Sequence, residues 1–127
     1  MTDKRLTFKE MCARFEVTPR TLRYYEYIEL LQPEKEGRNR FYTPREVARM
    51  VLILRGRRFG FSLEEIRQWL ELYETHGTRQ QLSAFIDNAE RQLAELTRQQ
   101  EELRETIADL NSLRDDTVRL LEKETKG

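Results

Sequence analysis

The sequence predicts a mainly α-helical protein: a winged helix-turn-helix head, then one long helix built to pair with another helix. Three observations predict it. Four positions carry the same helix-start signal, a hydroxyl residue flanked by apolar residues at fixed offsets. Between the second and third of these lies a stretch punctuated by proline and glycine, "QPEKEGRNRFY". From Arg79 to about Leu121 there is neither proline nor glycine, while apolar residues recur at alternating steps of four and three. The head is placed at residues 1–76 and the long helix at 77–127, with its last residues, "EKETKG", expected to fray.

The chain of 127 residues has room for one small domain with an extension. Charged residues make up 36% and hydrophobic ones 38%, as in a soluble, helix-rich protein with much polar surface. The longest apolar run, Met50 to Leu54, is far too short to cross a bilayer, so no membrane partner is expected. The opening "MTDKRLTF" has no apolar core behind its charges, which points to a cytoplasmic protein. A lone cysteine, Cys12, excludes an internal disulfide. The net charge of zero conceals a division. Residues 1–58 carry 14 Lys and Arg against 8 Asp and Glu, whereas residues 59–127 carry 9 against 15. A basic half of this kind suits a polyanion.

The first helix starts after Thr7, with Glu10 three residues on to complete a capping box, and runs from Phe8 to about Arg14. Phe8, Met11, Cys12 and Phe15 fall at i, i+3, i+4 and i+7, a core-facing stripe in which Cys12 is a small buried hydrophobe. The second helix starts after Thr18 with Pro19 at its first position, where a missing N–H costs nothing. Only Phe15-Glu16-Val17 separate the two, the spacing of a helix-turn-helix. In "QPEKEGRNRFY", Gly37-Arg38-Asn39 forms a turn and Arg40-Phe41-Tyr42 a strand, so a two-stranded wing is expected with Arg38 and Arg40 near its tip. The third helix runs from Pro44 to about Arg58, with Thr43 and Glu46 as capping box and Val47, Val51 and Leu54 inward; Gly60 stops it. The fourth, Leu63 to about Thr75, starts at Ser62 with Glu65, buries Ile66, Trp69, Leu70 and Tyr73, and ends at Gly77. Apolar pairs brace all four starts: Leu6 with Met11, Val17 with Leu22, Tyr42 with Val47, Phe61 with Ile66.

On the second helix Arg20, Arg23, Tyr24 and Tyr27 share one face, while Leu22 and Tyr25 point toward the first helix. Arginine forks pair with guanine edges or phosphates, and tyrosine hydroxyls donate to phosphate oxygens, so the face suits DNA. The bland alternative is a solvated helix with an Arg23–Glu26 pair. Against it, such a face seldom needs two tyrosines, and Arg38, Arg40, Arg57 and Arg58 extend the same charge.

The text "TPRTLRYYEYIELL", then "GRNRFYTPREVARM", then "FGFSLEEIRQWL", resembles the MerR family of bacterial transcription regulators over residues 5–75. The resemblance implies a winged helix-turn-helix head and a homodimer joined through an antiparallel coiled coil. It also implies binding to palindromic promoters with an overlong spacer, which are distorted so that RNA polymerase can use them. Carried over by position, recognition-helix contacts fall on Arg20, Thr21, Arg23 and Tyr24, and wing contacts on Arg38, Arg40 and Tyr42. Arg57 or Arg58 would touch a phosphate. The family usually carries glycine where Glu29 stands, and many members have a shorter wing than "GRNRFY".

In the long helix Leu82, Ile86, Ala89, Leu93, Leu96, Gln100, Leu103, Ile107 and Leu110 form a seam of four heptads with one polar position. After Leu110 the pattern slips, and Leu113, Val118, Leu120 and Leu121 fit no single continuation. The simplest partner for the seam is a second copy of the helix. Metal-sensing members of the family resemble one another in using cysteines at the end of this helix; residues 78–127 hold none, and His76 stands alone. No metal and no cofactor is therefore expected. An unidentified small-molecule effector near Trp69, Tyr73 and the partner's long helix, or no effector at all, remains. No paired carboxylates, nucleophile–base pair or phosphate-cradling loop suggests an enzyme. The competing reading is a coiled-coil interaction module whose basic head binds protein or RNA.

Overall fold

The computed structural model describes residues 4–126. Its elements follow in the order β1 (Leu6–Thr7), α1 (Phe8–Phe15), α2 (Pro19–Tyr27), β2 (Glu34–Glu36), β3 (Asn39–Tyr42), α3 (Pro44–Phe59), α4 (Leu63–Thr75) and α5 (Arg79–Lys126). The chain divides into two compact units, one ending at Phe85 and the other starting at Ile86.

The four expected helix starts are present. Thr7, Thr18, Thr43 and Ser62 each accept a hydrogen bond from the backbone N–H three residues on, at 3.1–3.4 Å. Glu10 and Glu65 close their capping boxes at 2.9 Å. Glu46 does not. Its carboxylate is buried, accepts the backbone N–H of Gln32 at 2.6 Å, and pairs with Arg45 at 2.6 Å. A fifth box opens α5: Gln81 N–H donates to the Thr78 hydroxyl at 3.1 Å, and Thr78 N–H donates to the Gln81 side chain at 2.8 Å.

Three helices end alike. After α1, α2 and α3 the residue in the left-handed region is Glu16 (φ 53°), Glu29 (φ 63°) and Gly60 (φ 91°). In each case the next residue's N–H reaches back across the last turn: Val17 to Cys12, Leu30 to Tyr25, Phe61 to Gly56, at 2.9–3.1 Å. That is the Schellman closure, usually built on glycine. Helix α4 ends on His76 (φ 63°), one residue before the expected Gly77, which is left-handed as well (φ 62°).

The wing has three strands where two were expected, in the order β1-β3-β2. β3 pairs antiparallel with both neighbours, Leu6 facing Tyr42 on one side and Lys35 facing Arg40 on the other. Arg5 fastens the sheet: its guanidinium lies 4.3 Å over the Phe41 ring and donates to Glu34 and Glu36 at 2.9 and 2.8 Å.

The core gathers Met11, Leu22, Tyr25, Leu30, Leu31, Tyr42, Met50, Ile53, Phe61, Ile66 and Leu70. Two expectations fail at its edge. Of the expected inner stripe of α3, Val47 and Leu54 are half-buried and pack against the core, but Val51 is exposed; the fully buried positions are Glu46, Met50, Ile53 and Gly56. Gly56 sets this phase, because a Cβ there would stand 2.6 Å from Ile66 Cγ1; α4 crosses α3 at the one position without a side chain. Tyr73 is exposed as well, leaving Trp69 buried among Phe59, Phe61 and Phe85. Phe85 stacks on Trp69 at 6.2 Å and 19°, so the packed head extends beyond residue 76 into the first turns of α5.

The second unit is helix alone. Of the seam, Ile86, Leu93, Leu96, Leu103, Ile107 and Leu110 are 39–65% exposed, and Leu113, Val118, Leu120 and Leu121 are exposed too. α5 continues to Lys126, with the Thr125 hydroxyl donating to Leu121 O at 2.9 Å; Gly127, the last of the residues expected to fray, lies outside the described residues.

Candidate nucleic-acid interface

Helix α2 is aimed by its ends. Thr18 fixes its start, and Leu22 and Tyr25 anchor its inner side in the core. That leaves Arg20, Arg23, Tyr24 and Tyr27 outward; Tyr24 is 48% exposed and Tyr27 83%. An 83% exposed tyrosine contributes almost nothing to folding by burial, so its ring and hydroxyl are free for a ligand. Thr21 is half-buried, and its hydroxyl accepts from Thr18 at 3.0 Å, which ties it to the cap.

Arg23 does not pair with Glu26. Its guanidinium lies 5.3 Å over the ring of Phe8 on α1, and the Arg40 guanidinium lies over the same ring at 5.6 Å. Arg40, half-buried, holds its Nε 3.0 Å from Glu26 Oε1. That N–H is not directed at the carboxylate, so the contact is an ion pair without a hydrogen bond. Tyr42 corrects the expectation of a wing contact. It is fully buried, and its hydroxyl donates to Glu26. Burial first, and then the hydrogen bond to Glu26, push its phenol far above the ordinary tyrosine range. Strand alternation explains the error: Arg40 and Tyr42 share a face of β3, and that face looks onto α1 and α2.

Arg38 is exposed in the wing turn beside Gly37, which takes the left-handed conformation (φ 64°). A groove of about 500 Å³ runs between the start of α1 and the wing, and Lys9, Arg38 and Arg40 line it without any carboxylate. Lys9 and Lys35 were missed by sequence reasoning. Lys35 stands directly across from Arg40, whose own charge is met by Glu26, and nothing in the sequence alone gives that pairing. Arg57 and Arg58 are exposed in the last turn of α3, where cations also suit the helix C-terminus. No ion pair or ring contact joins them to the α2–wing cluster among the described residues. Cys12 lies half-buried against the core, and burial raises its thiol pKa, the opposite of a reactive thiolate. Among the described residues no group of three or more His, Cys, Asp or Glu could hold a metal, and no helix is long and apolar enough to cross a membrane.

The arrangement is a basic, aromatic helix face beside a basic wing, with no carboxylate lining the groove between the start of α1 and the wing. The chain is similar to known proteins. The family model described as MerR HTH family regulatory protein matches residues 6–72, and the one described as MerR, DNA binding matches residues 47–113. The HTH-type transcriptional regulator HmrR of Rhizobium leguminosarum bv. viciae is 38% identical over 106 residues, covering 82% of this chain and 80% of that one. The HTH-type transcriptional regulator ZntR of Escherichia coli K12 is 35% identical over 102 residues, covering 74% and 72%. The crystal structure of a MerR-family transcriptional regulator from Bacillus cereus superposes with a TM-score of 0.67 at 26% identity, over 86% of this chain and 79% of that one.

Proposed function

Since the chain belongs to the MerR family of DNA-binding transcription regulators, we propose that it binds a palindromic promoter as a homodimer and distorts it for RNA polymerase. Arg20, Arg23, Tyr24 and Tyr27 of α2 lie in the major groove, with Thr21 at the helix start. Arg38 of the wing, and Arg57 or Arg58 of α3, hold phosphates. The observation that carries this reading is the outward face of α2, where two arginines and two tyrosines stand exposed on an anchored helix. The exposed seam of α5 supports the dimer: a helix of 48 residues leaves its apolar stripe in water unless another helix covers it.

The test begins with random-sequence duplexes from which the full chain selects its own site. The selected site is expected to be an inverted repeat, bound by two chains, with affinity falling steeply as salt rises. Arg20→Ala should weaken binding by about 1–3 kcal/mol and relax preference at one base position in each half-site. Selection of no common sequence, or tighter binding to single-stranded RNA than to any duplex, would overturn the reading.

A further inference from the structure

Of the wing residues expected at the DNA surface, Tyr42 is fully buried and Arg40 half-buried, and both reach one carboxylate. Glu26 lies on α2 between Arg23 and Tyr27, yet its side chain is only 11% exposed. The buried Tyr42 hydroxyl donates to it, and Arg40 Nε stands 3.0 Å away; both partners belong to β3 of the wing. Phe8 completes the junction, with one guanidinium from α2 and one from β3 over its ring. Glu26 is the only carboxylate among these contacts. Without its charge, Arg23 and Arg40 would be left as like charges against a single ring.

We infer that Glu26 is a positioning residue for DNA recognition: it locks the wing to the recognition helix, so that Arg38 and Arg20 reach the same duplex together. The inference rests on the DNA-binding reading above. Its physical basis is that the second of two tethered contacts forms at an effective concentration set by how firmly the tether holds. A rigid junction makes the wing contact nearly free once α2 is seated; a loose one makes it compete with solvent.

The experiment measures affinity of the full chain for a duplex that the wild-type protein has selected from random DNA, across a range of salt. Glu26→Gln keeps an acceptor for Tyr42 but removes the charge. Tyr42→Phe removes a hydroxyl that cannot touch DNA at all, and it carries the test if the first variant does not fold. Each is placed in wild-type, Arg38→Ala and Arg20→Ala backgrounds. The expected result is a loss of about tenfold with Glu26→Gln in the wild-type and Arg20→Ala backgrounds, the scale of one contact. In the Arg38→Ala background, where the wing has nothing left to deliver, the loss should fall below about twofold. Tyr42→Phe should repeat the pattern with smaller amplitude, and the salt slope should become shallower by roughly one unit. Equal losses in all three backgrounds would mean that Glu26 acts through general stability, and the inference would fall. Unchanged binding in Glu26→Gln beside a weakened Arg20→Ala would sink the positioning role while leaving the DNA-binding reading intact. A wild-type chain that selects no duplex would sink both.

Discussion

Glu29 holds a backbone conformation, φ 63°, that costs an L side chain about 1–2 kcal/mol in the left-handed region. It does so because the closure of α2 demands it: Glu29 N–H donates to Glu26 O at 3.0 Å, and Leu30 N–H donates to Tyr25 O at 2.9 Å, which places Leu30 in the core. Glu29→Gly is therefore expected to raise stability by up to about 1 kcal/mol, after allowance for the extra freedom of the unfolded glycine. Thermal unfolding followed by circular dichroism should show a rise of a few degrees; an unchanged or lower midpoint would mean that the Glu29 side chain compensates its own strain. At this scale the candidate site was partly legible. Arg20, Tyr24 and Tyr27 followed from helical period alone, since a helix anchored by Leu22 and Tyr25 has only one other face. Tyr42 and Arg40 did not, because a strand's alternation says which residues share a face but not which face meets the protein.

Elements meet where side chains allow it. Helix α4 approaches α3 through Gly56, so close that a Cβ would stand 2.6 Å from Ile66 Cγ1 and 3.0 Å from Cδ1. Alanine elsewhere in a helix would gain about 1 kcal/mol over glycine. Here Gly56→Ala should lose about 1–3 kcal/mol net, because α4 must move or Ile66 must leave its rotamer. A denaturant midpoint at or above wild type would refute the close crossing. Helix starts and stops were legible because caps and apolar staples are local, written within five residues. Non-local pairings were not. Strand β1 has two residues and exists only by pairing with β3, thirty-odd positions away. The phase of α3 escaped for a related reason: a buried glutamate and a glycine look like surface in the sequence, yet Glu46 serves the Gln32 backbone and Gly56 admits a helix. The Thr78–Gln81 capping box is as local as the other helix starts, written within four residues.

At the scale of the whole sequence the charge divides: residues 1–58 carry an excess of Lys and Arg, residues 59–127 an excess of Asp and Glu. The α5 helix spans 48 residues, about 70 Å at 1.5 Å per residue, and its outer side is laced with short-range ion pairs such as Glu95–Arg98–Glu102. Exposed pairs of this kind contribute little to stability, so a lone α5 has small reason to persist in water. Leu103→Asp is expected to convert a dimer into a monomer and to lower helix content in the long helix at once. Sedimentation and far-UV circular dichroism measured together check it; a monomer that retains full helicity would show that α5 stands without a partner.

The stacking of Phe85 on Trp69 has an optical consequence. Trp69 is the only tryptophan in the chain, and its indole is enclosed by Phe59, Phe61 and Phe85 while the Arg55 guanidinium lies 5.7 Å above it. Its fluorescence thus comes from a single buried environment, one wall of which is the beginning of α5. Any event that lifts those first turns admits water to the ring and moves its emission to longer wavelength. The protein carries its own lamp at the place where its long helix leaves the head.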